Sequence, residues 1–264
     1  MEQAIFISRV ENLKYCTRQF SRLYFGNEFC EQLIPSIAEV RQVLDFVREN
    51  ELDFTLVTPY ATEKGLGKLE PLFQEVAQRR PGSEVVFNDY GVLRVLNSRY
   101  GELEPVMGRL LHKMKRGPRL MTVISKLPAT TVEYFRGSNL TVPILGEFLN
   151  QRGVKRVELD NLLQGFDFSL ENNLSGSLYY PYAYVTTTRF CLTSSCDIPE
   201  REEMIGIFPC RQECQRYTFY LRSEVMPVIL ARKGNTIFFE NEVLPEGLGE
   251  RGINRMVTEP EIPM

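Results

Sequence analysis

The sequence predicts an α/β fold: a TIM-barrel-like (β/α)8 barrel that becomes degraded or incomplete in its C-terminal third. Three observations predict it. Short β-branched runs alternate with amphipathic helical runs, the pattern of a parallel sheet with crossover helices. About eight strand candidates fall within 264 residues, which suits one such barrel. Cys30, Asp160 and Cys191 each follow or close a predicted strand, and barrels of this kind carry their reactive groups at those ends. No internal repeat, low-complexity tract or linker interrupts the chain, so residues 1–264 read as a single domain.

The elements follow in order. Ala4–Val10 is apolar and β-branched and reads as a strand. Arg22–Gly26 reads as a second strand that ends at a Gly-Asn turn, with Cys30 just beyond. Over Ser36–Asn50 the apolar residues Ile37, Val40, Val43, Leu44 and Val47 fall at helical spacing. Phe54–Thr58 is a third strand, stopped by Pro59. Leu69–Arg79 is helical, with Leu69, Leu72, Phe73 and Val76 on one face, and Pro81-Gly82 ends it. Glu84–Asn88 is a fourth strand, Asp89–Asn97 a short helix and Pro105–Leu111 a fifth strand. The pattern over 117–138 is ambiguous. Val142–Arg152 is a helix closed by Gly153, and Val154–Asp160 is a strand with a carboxylate at its end. Leu178–Val185 reads as one strand leading to the cysteine-dense stretch. Tyr217–Leu221 and Ile237–Phe239 are β segments, Glu240–Gly252 a solvated loop, and Arg255–Thr258 a last strand.

Composition narrows the chemistry. Net charge is −3, which gives no general attraction to nucleic acid or anionic lipid. No run approaches the roughly 18–20 apolar residues of a membrane span, and the N-terminus lacks a secretory pattern, so a cytoplasmic protein is expected. The one basic run, Arg109–Arg119, reads as a solvated helix end and loop. His112 is the only histidine. Three-histidine zinc and His-Glu-x-x-His sites are therefore impossible, and any Ser-His-Asp or Cys-His site would have to use it. Beside that basic run it reads as a surface or helix-packing residue.

Six cysteines in a reducing compartment point to metal binding, catalysis or burial rather than disulfides. Cys210 and Cys214, four residues apart, share one face of a helix-like turn. Cys191 stands 19 residues before Cys210, which leaves room for a loop that folds back. Four thiolates suffice for a 4Fe–4S cluster or a structural zinc, while buried inert cysteines are the plain alternative. Asp160 is the leading acid–base candidate, with Glu158 two residues earlier on the same strand face. Glu28, close to Cys30, is the second. Strand-end carboxylates also cap helices, so neither role follows from position alone. Tyr180, Tyr182 and Tyr184 would point one way from a single strand, as core packing or as one wall of a site.

Three stretches resemble the collagenase-like peptidases, peptidase family U32. Arg22-Leu-Tyr-Phe-Gly-Asn-Glu-Phe-Cys30 is similar to the family's second strand and its cysteine-bearing turn. Tyr182-Ala-Tyr-Val-Thr-Thr-Thr-Arg189-Phe-Cys191 resembles its strand ending in an Arg-x-Cys element. Cys210 and Cys214 resemble its downstream pair. The short, single-barrel branch, linked to ubiquinone biosynthesis, is the nearest in pattern. The resemblance implies a TIM-barrel-like fold and a cytoplasmic setting. It implies a 4Fe–4S cluster held by Cys30, Cys191, Cys210 and Cys214, with zinc as the alternative. It also implies oxygen-independent hydroxylation of a small organic molecule or an RNA base, often with a related chain as heterodimer partner. Peptide hydrolysis and a non-catalytic cluster-binding scaffold are the alternatives. The single histidine, with no recognisable nucleophile–base pair, counts against the first of these. Cys196 is an extra thiol that could replace Cys191, and Cys16 reads as a core residue.

Overall fold

The computed structural model describes residues 1–171, 173–200 and 208–264. The chain forms β1 (Glu2–Ile7), β2 (Arg22–Gly26), β3 (Asp53–Val57), β4 (Glu84–Phe87), β5 (Glu104–Met107), β6 (Arg156–Asp160), β7 (Ser175–Tyr180), β8 (Tyr182–Thr187), β9 (Phe219–Leu221), β10 (Leu230–Lys233), β11 (Thr236–Glu240) and β12 (Ile253–Thr258). Eight of these close a parallel barrel in the order β1-β12-β7-β6-β5-β4-β3-β2. The other four form an antiparallel sheet in the order β8-β11-β10-β9. The fold is thus the expected α/β barrel, with irregular crossovers: a 3-10 turn joins β1 to β2, and among the described residues no helix joins β6 to β7. The crossover from β7 back to β12 is made by that sheet and not by a helix.

Side chains alternate along each barrel strand. Ala4, Phe6, Tyr24, Val57, Val86, Val106, Tyr179 and Val257 pack inside the barrel. Their neighbours Ile5, Leu23, Phe25, Leu56, Val85 and Met256 face outward into the main core under the helices. Helix α1 (Ile37–Glu49) begins at a capping box, in which Ser36 and Glu39 satisfy each other's backbone N–H. It buries Val40, Val43, Leu44 and Val47. Helix α2 (Glu63–Arg79) starts six residues before the periodicity predicts, because the Thr62 hydroxyl accepts from Gly65 N and caps it. Gly65, Gly67 and Pro71 disguise that first half. Asp89 caps α3 (Tyr90–Arg99). The ambiguous 117–138 region holds 3-10 turns and α4 (Ala129–Arg136), and α5 (Pro143–Gln151) follows. Among the described residues, no helix is long and apolar enough to cross a membrane.

One expectation is corrected. Leu178–Val185 is not a single strand. Pro181 has no N–H for a ladder, and the chain turns there from the barrel into the second sheet. Tyr180 therefore packs with the main core, whereas Tyr182 and Tyr184 lie over the barrel mouth.

The N-terminal end of the barrel is tied by ions. Arg255 donates to both oxygens of Glu84 at 2.6 and 3.0 Å and to Glu2 at 2.6 Å. Arg22 bridges Glu2 and Asp53. Strands β1, β2, β3, β4 and β12 are so linked, which reads as a stabilising latch at this face.

At the other end, β2 stops at Gly26. Its φ of 138° belongs to glycine, and a Cβ there would lie 2.1 Å from the Val57 carbonyl oxygen. Both the backbone conformation and a fixed neighbour forbid a side chain. Gly26→Ala is expected to cost about 3 kcal/mol or more, read as a lowered denaturation midpoint. A variant as stable as the native chain would disprove this close approach.

Candidate functional site

Five strand exits meet at the C-terminal mouth of the barrel. Glu28 follows β2, Asn88 follows β4, Arg109 follows β5, Asp160 closes β6 and Glu259 follows β12. Arg109 lies at their centre and is fully buried. Its Nε and Nη2 donate to Glu28 Oε2 at 2.9 and 2.7 Å. Its Nη2 also donates to Glu259 Oε1 at 2.8 Å, and its Nη1 to Asp160 Oδ1 at 3.0 Å. The guanidinium carbon sits 3.9 Å from the centre of the Tyr179 ring. Arg116 pairs with the second oxygen of Asp160, and its guanidinium stacks on Tyr184.

The basic run is therefore not simply a solvated loop. Arg109 and His112 are buried and Arg116 is partly buried, leaving Lys113, Lys115 and Arg119 at the surface. His112 is not a surface residue either. Its Nε2 lies 2.7 Å from the Glu158 carbonyl, which can only accept, so this nitrogen carries the proton. Burial, with Arg116 adding to it, lowers its pKa to about 4, so the ring is neutral at ordinary pH.

The three mouth carboxylates differ in character. Burial pushes Asp160 up, but Arg116 and Arg109 more than offset it and hold its carboxyl below the usual range. Glu259 is pushed up to about 8, by burial first, with Arg109 compensating only in part beside Glu28 and Asp160. Its Oε2 is buried without a partner among the described residues, as is the Tyr179 hydroxyl. An oxygen left without a donor is less costly as a protonated acid than as an anion. Glu158 also faces the barrel interior, near Tyr24 and Ser177, and burial raises it to about 7. The expectation that Glu158 and Asp160 share a strand face is met: Glu158 meets Tyr24 inside the barrel and Asp160 meets Arg109 at its mouth.

The thiols gather beside this mouth. Asn27 Oδ1 accepts from the N–H groups of Phe29 and Cys30 at 3.1 and 2.9 Å and folds the β2 exit into a tight turn. Cys30 then opens a 3-10 turn, and the N–H groups of Gln32 and Leu33 point at its sulfur. Cys191 lies in the loop after β8. The N–H of Gln212 donates to Cys210 Sγ at 3.4 Å. The Gln212 side chain donates to Gln32 O at 3.0 Å, which joins the Cys210 and Cys30 loops. Glu213 accepts from the N–H groups of Ser195 at 2.8 Å and Arg211 at 3.0 Å, joining the two late cysteine loops. Cys214 is buried among Phe29, Tyr184, Phe238 and Met264.

Burial, with Cys210 and Cys191 adding to it, raises Cys30 to about 11. Burial, with Cys191, Cys30 and Cys210 adding, raises Cys214 to about 12. Cys30 and Cys214 thus each feel Cys191 and Cys210. Cys16 is elsewhere, packed against the main core. Among the described residues, no three His, Cys, Asp or Glu side chains converge as they would around one ion. Of the groups that matter here, Arg109, Glu213 and Glu259 were not singled out by sequence reasoning. Glu213, between Cys210 and Cys214, was the one a spacing argument could have reached.

No family model and no curated protein matches the chain. Among solved structures, the chain is similar to the U32 peptidase Mk0906, with 11% identity and a TM-score of 0.49. The alignment covers 100% of this chain and 94% of that one. A glycoside hydrolase family 18 N-acetylglucosaminidase from Paenibacillus barengoltzii aligns over 97% of this chain and 94% of its own, with 10% identity and a TM-score of 0.30. A family 18 chitinase from Cycas revoluta aligns over 98% and 94%, again with 10% identity and a TM-score of 0.30. At such identities no residue role carries from those proteins to this one.

The raised Glu259 has a consequence for stability. A carboxyl whose folded pKa lies above its unfolded value stabilises the fold fully below about 4.5, and that contribution is lost as pH rises to about 8. Glu259→Gln keeps the shape without titrating. Denaturant unfolding at pH 5, 7 and 9 is expected to show the native chain weakening relative to Glu259→Gln as pH rises. A constant difference between the two would show that Glu259 is already ionised across that range.

Proposed function

We propose that this chain is a 4Fe–4S protein, the cluster held by Cys30, Cys191, Cys210 and Cys214 at the barrel mouth. We propose further that it serves an oxygen-independent hydroxylation or a related redox modification. The observation that supports the reading is that Cys30 and Cys214, from separate loops, each feel the thiols of Cys191 and Cys210. Backbone N–H groups aimed at the Cys30 and Cys210 sulfurs support it, because hydrogen bonds to sulfur are how proteins tune such centres. When bound, a cluster held by these four cysteines would supply one-electron transfer.

The chain's own residues do the rest. Phe29, Tyr184, Phe238 and Met264 keep water from the inner side of the thiols. Glu28 and Asp160 are engaged by Arg109, so they position the β2 exit and the β6 end. The proton-holding role falls to Glu259, whose second oxygen is unpartnered. A zinc ion would need sulfurs about 2.3 Å from one point, hence about 3.8 Å from each other.

Peptide hydrolysis is less well supported. A nucleophilic cysteine needs a lowered pKa, and Cys30 and Cys214 are raised. His112, the only histidine, bonds to a buried carbonyl. A small organic substrate or an RNA base, and a related chain as partner, belong to the same proposal and follow from the motif resemblance.

Anaerobic purification with iron and sulfide counting tests the reading. About four of each per chain and a broad visible absorption are expected. Alanine at Cys30, Cys191, Cys210 or Cys214 should remove the absorption, and alanine at Cys16 or Cys196 should leave it. A colourless protein with one tightly held zinc would replace the cluster by a zinc site.

A further inference from the structure

A cavity of about 470 Å³ opens beside the thiols, lined by Tyr60, Asn88, Leu110, Tyr184, Thr186 and Arg189 among others. We propose that this cavity binds the substrate, and that the substrate is a small planar molecule bearing one carboxylate or phosphate group. The proposal deepens the redox reading above and rests on it for the word substrate. The pocket itself stands on four separate observations.

First, the cavity and the thiol site share a wall. The side-chain nitrogen of Asn235 contacts Phe29 O at 2.7 Å, Thr188 O at 2.6 Å and the Tyr60 hydroxyl at 2.9 Å. Tyr60 also donates to Thr188 O at 2.8 Å. Phe29 is the residue before Cys30, so a molecule held against Tyr60 lies next to that thiol. Second, the floor is fixed and polar. Asn88 donates to Thr58 O at 3.0 Å and to Glu28 at 3.4 Å, and accepts from Leu110 N at 3.0 Å. Third, the lining is mixed: the rings of Tyr60 and Tyr184 and the side chain of Leu110 face the cavity together with Thr186, Thr187 and Thr188. That combination, at a volume within the roughly 300–1,000 Å³ of small-molecule sites, suits a single ring.

Fourth, charge is arranged along the depth. Arg189 is exposed at the rim with its guanidinium 5.7 Å from the Tyr60 ring centre, and among the described residues it has no carboxylate partner. Thr186 and Thr188 are exposed on the same lining, with the Thr188 hydroxyl donating to Phe190 O at 2.6 Å. Glu28 lies behind the Asn88 floor. Glu28 is neutralised by Arg109 and the polar atoms of Asn88 are already bonded, so the charge that can draw an anionic group is at the rim: ring inward, anion outward.

Three probes of one shape test this: benzoate, phenyl phosphate and neutral benzamide. Binding is measured by calorimetry on anaerobically purified protein, with iron counted on the same sample. At least one anion is expected to bind about tenfold or more tighter than benzamide. Preference for phenyl phosphate or for benzoate identifies the head group. Arg189→Gln should bring the anions to the level of benzamide, and Leu110→Trp should abolish binding of all three. Equal affinity for benzoate and benzamide, undiminished anion binding by Arg189→Gln, or no binding of any probe to the native chain would overturn the pocket. Binding without iron leaves the pocket standing and removes the cluster; iron without binding does the reverse.

Discussion

The mouth of this barrel depends on one guanidinium. Arg109 leaves the exit of β5 and is bonded to carboxylates from the exits of β2, β6 and β12. Desolvating that charge is costly, and only dense pairing offsets it. Removing the cation would leave three buried acids facing one another, a penalty of about 3–5 kcal/mol or more for groups of this kind. The constraint reaches past stability. Glu28 is held two residues before Cys30, so the position of the early thiol is set by the same ion that ties the strand exits. Tyr184, whose hydroxyl donates to Arg109 O at 3.0 Å, carries the constraint into the second sheet.

The two ends of the barrel carry similar residue types put to different use. At the N-terminal face Arg255, Arg22, Glu84 and Glu2 are mutually saturated and link neighbouring strands. At the C-terminal face the network has loose ends: Glu259 Oε2, the Tyr179 hydroxyl and the Asn27 side-chain nitrogen are buried without partners among the described residues. A saturated network is suited to holding strands together. An unsaturated one, in a place that burial has already made expensive, is where a group can exchange a proton.

Much of this was legible in the sequence, and the failures have physical causes. Arg22–Gly26 and Asp160 were placed correctly because β-branched and aromatic runs stopped at glycine or a carboxylate leave little ambiguity. The single strand across Pro181 failed because apolar character continues through a residue whose missing N–H breaks the ladder. Helix α2 was read short because the cap at Thr62 acts through a hydroxyl and not through apolar spacing. Arg109 was taken for a solvated charge because a basic run looks the same whether or not acids from distant strands surround one of its members. The acids that surround it, Glu28, Asp160 and Glu259, lie between 51 and 150 residues away. Asp160 was chosen as an acid–base candidate for its strand-end position and Glu28 for its closeness to Cys30, and both are at the mouth. Position alone does not reveal which carboxyl keeps its proton.

The second sheet also sets where the late cysteines lie. A helix in the place of β8–β11 would have covered the barrel's flank, as α1 to α3 do. The sheet instead turns over the open end. It is stitched there largely by side chains bonding to backbone. Asn161 and Asn241 donate to each other's carbonyl at 2.9 and 3.1 Å, and Asn235 bonds the Phe29 and Thr188 carbonyls. Such bonds hold a fixed distance without filling the space between, unlike an apolar interface, which closes until it is packed. Fixed separation leaves a cavity on one side of Tyr60 and the thiols on the other. The same exchange of a helix for a sheet thus brings Cys191, Cys210 and Cys214 to Cys30 and keeps the mouth of the barrel from being sealed by its own cover.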